Sequence, residues 1–372
     1  MNLFDYLDWR GDVPLSVDPF NEVDNLLLAQ LVYTEFEGIG LDGKIVSIQE
    51  AKDFFYAKHT REEVLADSSF TAKSAFLMDE MARGKRFAGT KLVNYLKLTD
   101  KEKATQVSAL TFLLEDGTVY VAFRGTDSTL VGWKEDLNLS YLEETEGQKQ
   151  AVQYLNEAGK GAKALLVGGH SKGGNFAVYA SAFCEKEVQD KIICVYSNDG
   201  PGFREEILER EGYERILPRI VSIVPDASVV GMLLSSKSKP RVIKSSAIGI
   251  LQHDGFSWEI LRNHFVEAEL SDMGQLSEAA LGDWLEKLDD ETRKSFTTTV
   301  FDILESTGAE TTTDMGESKW KSLESMVSTA KDLPAEKQKE LLRVGKELLV
   351  SSGRAAVKTY MTKYLEKTEG KS

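Results

Sequence analysis

The N-terminal part of the chain has its apolar residues at helical spacing. Residues 21–95 are therefore predicted to be mostly helical. Ser47 and Glu50 have the spacing of a capping box, in which each side chain bonds the other residue's amide at a helix start. Another helix is predicted over 71–83 and is expected to end at Gly84.

The pattern changes near residue 91 and becomes an alternation of strands and helices. Segments 104–115 and 118–124 are rich in β-branched and aromatic residues, and Asp116-Gly117 between them predicts a hairpin turn. Further strands are predicted at 164–167, 191–196, 219–224 and 240–245, with helices at 147–158, 173–183 and 203–212. Apolar strands separated by helices are typical of a parallel sheet covered on both faces.

Strand patterns stop near residue 270. Helical patterns follow at 276–306, 317–331, 335–350 and 353–367. We therefore expect an α/β domain over 1–270, whose first 95 residues are mostly helical, and a helical C-terminal extension over 271–372. From Lys331 onward there are 10 Lys or Arg against 6 Asp or Glu. A solvated helical face explains this excess, and a lid, partner or membrane-surface contact is the alternative.

Composition narrows the classes of function. The 372 residues carry a net charge of −15, which argues against nucleic acid as a partner. Cys184 and Cys194 have neither disulfide-framework nor metal-ligand spacing, which favours a reducing compartment. We find no signal-peptide pattern at the start and no uninterrupted apolar run long enough to span a membrane. The predicted location is the cytoplasm.

The most informative motif is Gly169-His170-Ser171-Lys172-Gly173-Gly174, directly after the predicted strand at 164–167. A serine hydroxyl is a poor nucleophile unless a base removes its proton and nearby donors stabilise the oxyanion. A sharp strand-to-helix turn meets both needs, and it crowds the positions two before and two after the serine, where glycine avoids a clash. Ser171 is the predicted nucleophile; a glycine-rich loop with a structural serine is the alternative.

The base that would accept the proton of Ser171 is expected to be one of the four histidines of the chain. His59 precedes the predicted sheet, and His170 lies on the turn itself. Where a nucleophile sits on such a turn, the acid and then the histidine follow it, with the histidine after the last strand. This order favours His253. The alternative is His264, in a stretch with a helical pattern at 258–266.

The acid must orient the imidazole and stabilise its charged form. Asp226 follows the predicted strand at 219–224 and is the predicted acid. Asp199 ends the preceding strand and is the alternative, although Gly200-Pro201 after it favours a turn residue. Both positions are strand ends of a parallel sheet, where sites collect.

The oxyanion hole is expected to combine two backbone donors. The N–H of Lys172 opens the helix after the serine. A second donor is expected from the loop after an earlier strand, in Phe123-Arg124-Gly125-Thr126. There Gly125 permits close backbone approach, and Thr126 offers an N–H and a hydroxyl.

These motifs resemble those of a known family. Phe123 to Asp127, followed by Trp133 and Asp136, resembles the oxyanion segment of the class 3 (fungal-type) lipases, and 169–174 is similar to their nucleophile turn. More closely, the chain resembles a bacterial branch of that superfamily known as a domain of unknown function. The segments that carry this second match are 5–7, 19–24, 169–175 and 198–203, and coverage is roughly 1–265.

The resemblance implies the α/β-hydrolase fold, with Ser171, Asp226 and His253 as the catalytic triad and Thr126 and Lys172 at the oxyanion hole. It implies hydrolysis of a small-molecule or lipid-like acyl ester through an acyl-enzyme, with no metal or organic cofactor. One departure is that the lipases usually have an apolar residue where Lys172 stands. Its cation would favour an anionic substrate or group.

Two rival functions stay open. The same triad permits acyl transfer to an acceptor other than water. A non-catalytic binding or scaffold protein of this fold, whose residues 271–372 engage a partner, is the other rival. The sequence indicates neither the acyl chain length, the head group nor the oligomeric state.

Overall fold

The centre of the molecule is an eight-stranded sheet whose strand order follows the chain. The computed structural model describes residues 1–38, 44–66, 72–311, 314, 319–344 and 346–347. The sheet strands are β1 (Val46–Ser47), β2 (Lys91–Asp100), β3 (Thr105–Leu113), β4 (Val119–Phe123), β5 (Leu165–His170), β6 (Ile192–Asn198), β7 (Ile220–Pro225) and β8 (Arg241–Ile243). A separate hairpin pairs β9 (Ile260–Leu261) with β10 (His264–Phe265).

The first half of the sheet is antiparallel and the second half is parallel. Strands β1 to β4 pair antiparallel, and β4 to β8 pair parallel. The predicted hairpin is confirmed as β3 and β4, joined through Gly117 at a φ of 84°. Strand β2 is missing from the sequence prediction. A register shift between Val93 and Leu96, with Asn94 at a φ of 55°, breaks the alternation that would have indicated it.

Helices cover both faces of the sheet. Before β5 they are α1 (Leu3–Arg10), α2 (Glu22–Leu31), α3 (Ile48–Tyr56), α4 (Arg61–Ala66), α5 (Lys73–Arg83), α6 (Leu130–Asn138) and α7 (Glu146–Gly159). After β5 come α8 (Lys172–Phe183), α9 (Lys186–Gln189), α10 (Glu205–Leu208) and α11 (Glu211–Ile216). The capping box predicted for Ser47 and Glu50 is confirmed at the start of α3.

Two apolar cores lie on opposite faces of the sheet. Successive side chains of a strand point to opposite faces. Accordingly, Val119, Val121 and Phe123 belong to the core shared with α7, α8 and α11, whereas Tyr120 and Ala122 belong to the core shared with α1, α2, α3 and α5. Burial on both faces explains why the parallel strands read as continuous apolar runs.

The C-terminal part described is helical, with α12 (Asp272–Glu286), α13 (Asp290–Glu305), α14 (Lys319–Asp332) and helical residues at 335–344. The segment with a helical pattern at 276–306 forms two helices. The helical backbone is interrupted between α12 and α13, and the Asp289 side chain caps the start of α13. The predicted helix at 353–367 lies outside the described residues. The division into domains at residue 270 stays a prediction.

The topology confirms the predicted α/β-hydrolase fold: a mostly parallel sheet flanked by helices, with the carboxyl ends of β4 to β8 at one edge. Within the described ranges, no helix combines the length and apolarity that a membrane crossing requires.

Candidate active site

A strained turn joins β5 to α8. Ser171 has φ 59° and ψ −135°, a conformation that a non-glycine residue rarely adopts. A Cβ added to Gly169 would lie 2.2 Å from the carbonyl oxygen of Gly173, and one on Gly173 would lie 2.1 Å from that of Phe123. Only glycine therefore fits at either position. This is the sharp turn that the motif predicts.

The Ser171 side chain is not consumed by packing. The residue is partly exposed, and in the part of the chain described its hydroxyl makes no hydrogen bond. Its amide donates to the carbonyl oxygen of Asn198 at 2.9 Å, which ties the turn to the end of β6. The Asn198 amide group in turn donates to Gly169 O at 3.0 Å and accepts from Asn25 of α2 at 3.0 Å. These buried hydrogen bonds connect the strained backbone of the turn to β6 and α2.

The ring of His253 lies beside the turn. His253 ends a short 3₁₀ turn, Gly249–His253, beyond β8. Its ring centroid is 4.6 Å from that of His170, the residue before Ser171. The Nδ1 atom lies 2.6 Å from Asp199 Oδ2, and about a quarter (25%) of the side chain is exposed. The Nε2 atom makes no hydrogen bond to any residue in the described ranges, Ser171 included.

The structure places Asp199 against His253, in the position expected for Asp226. Asp199, the alternative in the sequence, contacts His253, whereas the Asp226 carboxylate makes no hydrogen bond to it among the described residues. Asp199 follows β6 at a φ of 50° and is fully buried. Asp226 instead uses its carbonyl oxygen to accept from the amide and hydroxyl of Ser271, just before α12. The physical reason is topological: β6 lies next to β5, so its end is one strand closer to Ser171.

Asp199 is fixed by further bonds. Its Oδ1 accepts from the Ser228 hydroxyl at 2.5 Å and from the Gly231 amide at 3.2 Å. Its own amide donates to Ile223 O of β7 at 2.7 Å. With Oδ1 satisfied in this way, Oδ2 is left for the imidazole, and the carboxylate is held in a single orientation.

His170 supports the same loop. Its Nε2 lies 2.7 Å from the His253 carbonyl oxygen, and its Nδ1 lies 3.2 Å from the Tyr33 hydroxyl. Burial lowers the pKa of His170 to about 4, with the charge of His253 as a smaller cause. The ring is therefore neutral at pH 7. Because a carbonyl oxygen only accepts, Nε2 carries the proton, and Nδ1 accepts from Tyr33.

The loop after β4 lies against the turn. A Cβ on Gly125 would lie 2.8 Å from Ser171 Cβ, so glycine permits this approach. In the described part of the chain, the amides of Thr126 and Lys172 donate to no acceptor. The Thr126 hydroxyl donates to Asp136 Oδ2 at 2.6 Å, and burial raises the pKa of Asp136 to about 6. Thr126 follows Gly125 and Lys172 follows Ser171, so two backbone donors without an acceptor among the described residues lie next to the turn.

The Lys172 side chain faces inward. It is fully buried, with Nζ 3.0 Å from Glu135 Oε2, and Glu135 is fully buried as well. The expectation that its cation would attract an anionic substrate group is wrong, because the charge is already paired inside the protein.

His264 makes none of these contacts. It is exposed in strand β10, so the helical pattern at 258–266 gave the wrong element. The sequence analysis gave Asp199 only as the alternative acid and assigned no role to His170. Position was the available signal, because His170 ends β5 and Asp199 directly follows β6, which pairs with β5 in parallel.

Among the described residues, no group of three or more His, Cys, Asp or Glu side chains could hold a metal ion.

Several solved lipase structures are similar in part. A Rhizomucor miehei lipase in a propeptide complex is 14% identical, covers 48% of this chain and 71% of its own, and has a TM-score of 0.35. The M37 lipase is 17% identical, with coverage of 56% and 68% and a TM-score of 0.33. The extracellular lipase LipA from Serratia marcescens is 12% identical, with coverage of 59% and 43% and a TM-score of 0.31. Likenesses this distant say nothing about the reaction.

No curated protein matches the sequence. The family model described as Mbeg1-like matches residues 81–302, which is more than half of the chain. The chain therefore belongs to the Mbeg1-like family.

Proposed function

We propose that the protein is a serine hydrolase that cleaves a carboxylic ester through an acyl-enzyme. Ser171 is the nucleophile, His253 the general base and Asp199 the acid that orients it. The observation that carries the proposal is the Asp199–His253 hydrogen bond of 2.6 Å beside a serine held in a strained turn.

The proton path follows from these contacts. A carboxylate only accepts, so His253 Nδ1 carries a proton and the neutral ring leaves Nε2 as the basic nitrogen. Ser171 Oγ attacks the ester carbonyl carbon as its proton passes to Nε2, and Asp199 stabilises the imidazolium. His253 then returns the proton to the leaving alcohol, and water repeats the sequence on the acyl-enzyme.

Ser171 and His253 are not hydrogen-bonded in this structure. A catalytic hydrogen bond is often long before substrate binds and tightens in the Michaelis complex. The ring of His253 lies 4.6 Å, centroid to centroid, from that of His170, the residue before the serine, and this proximity supports the interpretation.

The negative charge of the tetrahedral intermediate needs donors. We assign this role to the amides of Thr126 and Lys172, because they flank the serine and donate to nothing else in the described ranges. Asp136 accepts the Thr126 hydroxyl and thereby fixes that residue. Removing one such donor typically lowers kcat by about 10²–10³.

Replacement of the nucleophile tests the proposal. We expect Ser171→Ala to abolish turnover of a soluble p-nitrophenyl ester, because no other group supplies the attacking oxygen. The matched control is Ser181→Ala on the same helix, whose hydroxyl donates to Ala177 O at 2.7 Å; it should retain turnover. Ester turnover that survives in Ser171→Ala and scales with enzyme concentration would end the proposal.

The substrate class, the location and the partners are also part of the proposal. A small-molecule or lipid-like acyl ester as substrate, a cytoplasmic location and the lack of a nucleic-acid partner stay predictions from the sequence. Added alcohol acceptors distinguish hydrolysis from acyl transfer, since a transferase forms a new ester in their presence.

A further inference from the structure

We infer that the buried ion pair between Lys172 and Glu135 is a positioning pair that locks the serine turn to α6 and holds the two halves of the oxyanion hole in register. This inference rests on the proposed function and deepens it. Neither side chain touches substrate in this account; both act through the neighbouring backbone.

Both members of the ion pair are buried. Both side chains are fully buried, and Nζ lies 3.0 Å from Glu135 Oε2 and 3.4 Å from Gly132 O. The ammonium also lies 5.6 Å from the centroid of the Phe176 ring. Burying two charges is expensive unless each is paired and hydrogen-bonded. An apolar pair would fill this space without that expense, so the charges point to a requirement for geometry.

Glu135 connects three elements. Its Oε2 also accepts from the Gln106 amide in β3 at 2.8 Å, and its Oε1 accepts from the Gly147 amide in the first turn of α7 at 3.0 Å. With Lys172 of α8, three separate elements bond one carboxylate. Movement of α6 would therefore break several bonds at once.

Both members of the ion pair are connected to the proposed oxyanion hole. Lys172 supplies its own amide to the hole through the turn, while its side chain reaches α6. On α6, Glu135 is followed by Asp136, which accepts the Thr126 hydroxyl at 2.6 Å. The ion pair thus joins the Lys172 half of the hole to the Thr126 half.

The charges also act on Asp136. Burial is the largest cause that raises the pKa of Asp136, Lys172 opposes it, and Glu135 adds to it; the His253 charge also favours the ionised form. Tyr33, two residues after the end of α2, lies near the same carboxyl. Removal of the Lys172 cation therefore raises the pKa of Asp136 further, so that the carboxylate form is lost at a higher pH.

Three variants test this pair with a soluble p-nitrophenyl ester. Lys172→Met retains the backbone donor and removes the cation. The double variant Lys172→Met/Glu135→Gln removes both charges and leaves one amide oxygen, which can accept from the backbone amide of either Gln106 or Gly147 but not from both. The matched control is Lys134→Met on the same helix, whose ammonium pairs with Glu305 near the surface at 3.3 Å.

We expect Lys172→Met to lower kcat roughly 10- to 100-fold with KM changed less than about threefold, because the loss falls on transition-state stabilisation. The acid limb of its kcat profile should move to higher pH. Its melting temperature should fall, since Glu135 is left as an unpaired buried charge. The double variant should regain part of the lost melting temperature, because the unpaired buried charge is gone, while kcat stays at least about 10-fold below wild type. Lys134→Met should match wild type in kcat.

Recovery of kcat together with stability in the double variant would show a merely structural pair and overturn the inference. So would an acid limb that stays in place in Lys172→Met. Failure of the proposed function looks different, because wild type itself would then turn over no ester and react with no fluorophosphonate.

Discussion

Replacing Asp199 by asparagine tests which carboxylate serves His253. Asparagine keeps the size of the side chain, and its carbonyl oxygen can still accept from Ser228 and Gly231, so the fold should be retained. Its NH₂ group cannot accept from Nδ1 and donates to it instead. The ring proton then moves to Nε2, which can no longer take the proton of Ser171.

The size of the effect follows from this change of tautomer. The hydrogen bond is short, at 2.6 Å, and Asp199 is fully buried, so no water can replace the carboxylate. Loss of the correct tautomer in a serine hydrolase lowers kcat by about 10³–10⁴. That factor corresponds to about 4–5.5 kcal/mol of transition-state stabilisation. Steady-state kinetics on a soluble p-nitrophenyl ester measure it, with circular dichroism to verify folding.

Asp226→Asn is the matched control, with the same substitution one strand further along the sheet. Its carboxylate makes no hydrogen bond to His253 among the described residues, and its carbonyl oxygen still accepts from Ser271. We expect kcat within about threefold of wild type. Full activity of Asp199→Asn combined with an inactive, folded Asp226→Asn would refute the geometric assignment.

Two further predictions concern the turn itself. Gly125→Ala should abolish ester turnover in a folded protein, because the added Cβ would lie 2.8 Å from Ser171 Cβ and 2.3 Å from the Tyr33 hydroxyl; an active alanine variant would contradict the close approach. The pKa of His170 is lowered to about 4 in the folded protein, so the free energy of unfolding should decrease as the pH is lowered. Between about pH 6.5 and 4 the unfolded chain binds a proton at this residue that the folded chain does not. Urea denaturation should show wild type losing about 2 kcal/mol more than His170→Gln between pH 7 and pH 5. Equal losses would argue against a neutral buried ring.

The strained turn at Ser171 could be predicted from sequence because its determinants are local. A buried strand, a serine flanked by glycines two residues away and a following helix are all contiguous, and φ at Ser171 is positive as the motif requires. The positions of strands β3 to β8 along the chain could also be predicted, since each buried strand has an apolar run in the sequence.

The acid could not be chosen locally. Asp199 precedes Gly200-Pro201, so its sequence is typical of a turn, and it does adopt a φ of 50°. What makes it the partner of His253 is the adjacency of β5 and β6 in the sheet together with the approach of a loop 54 residues away. That adjacency was predictable in outline, but the reach of the loop was not.

The direction of the Lys172 side chain also could not be predicted from the sequence. A lysine beside a nucleophile is usually solvated, and its partner Glu135 lies 37 residues earlier on a different helix. Only the packing of α6 against the turn brings the two together. A local pattern identifies which residue carries a charge, and tertiary packing decides which group the charge meets.

The most direct measurement of the central claim is the site of covalent modification by a fluorophosphonate. The native protein is incubated with the probe, digested and sequenced by tandem mass spectrometry. The account predicts a single adduct on Ser171, with loss of esterase activity in proportion to labelling. Labelling confined to another residue, or complete labelling of Ser171 with esterase activity unchanged, would contradict it.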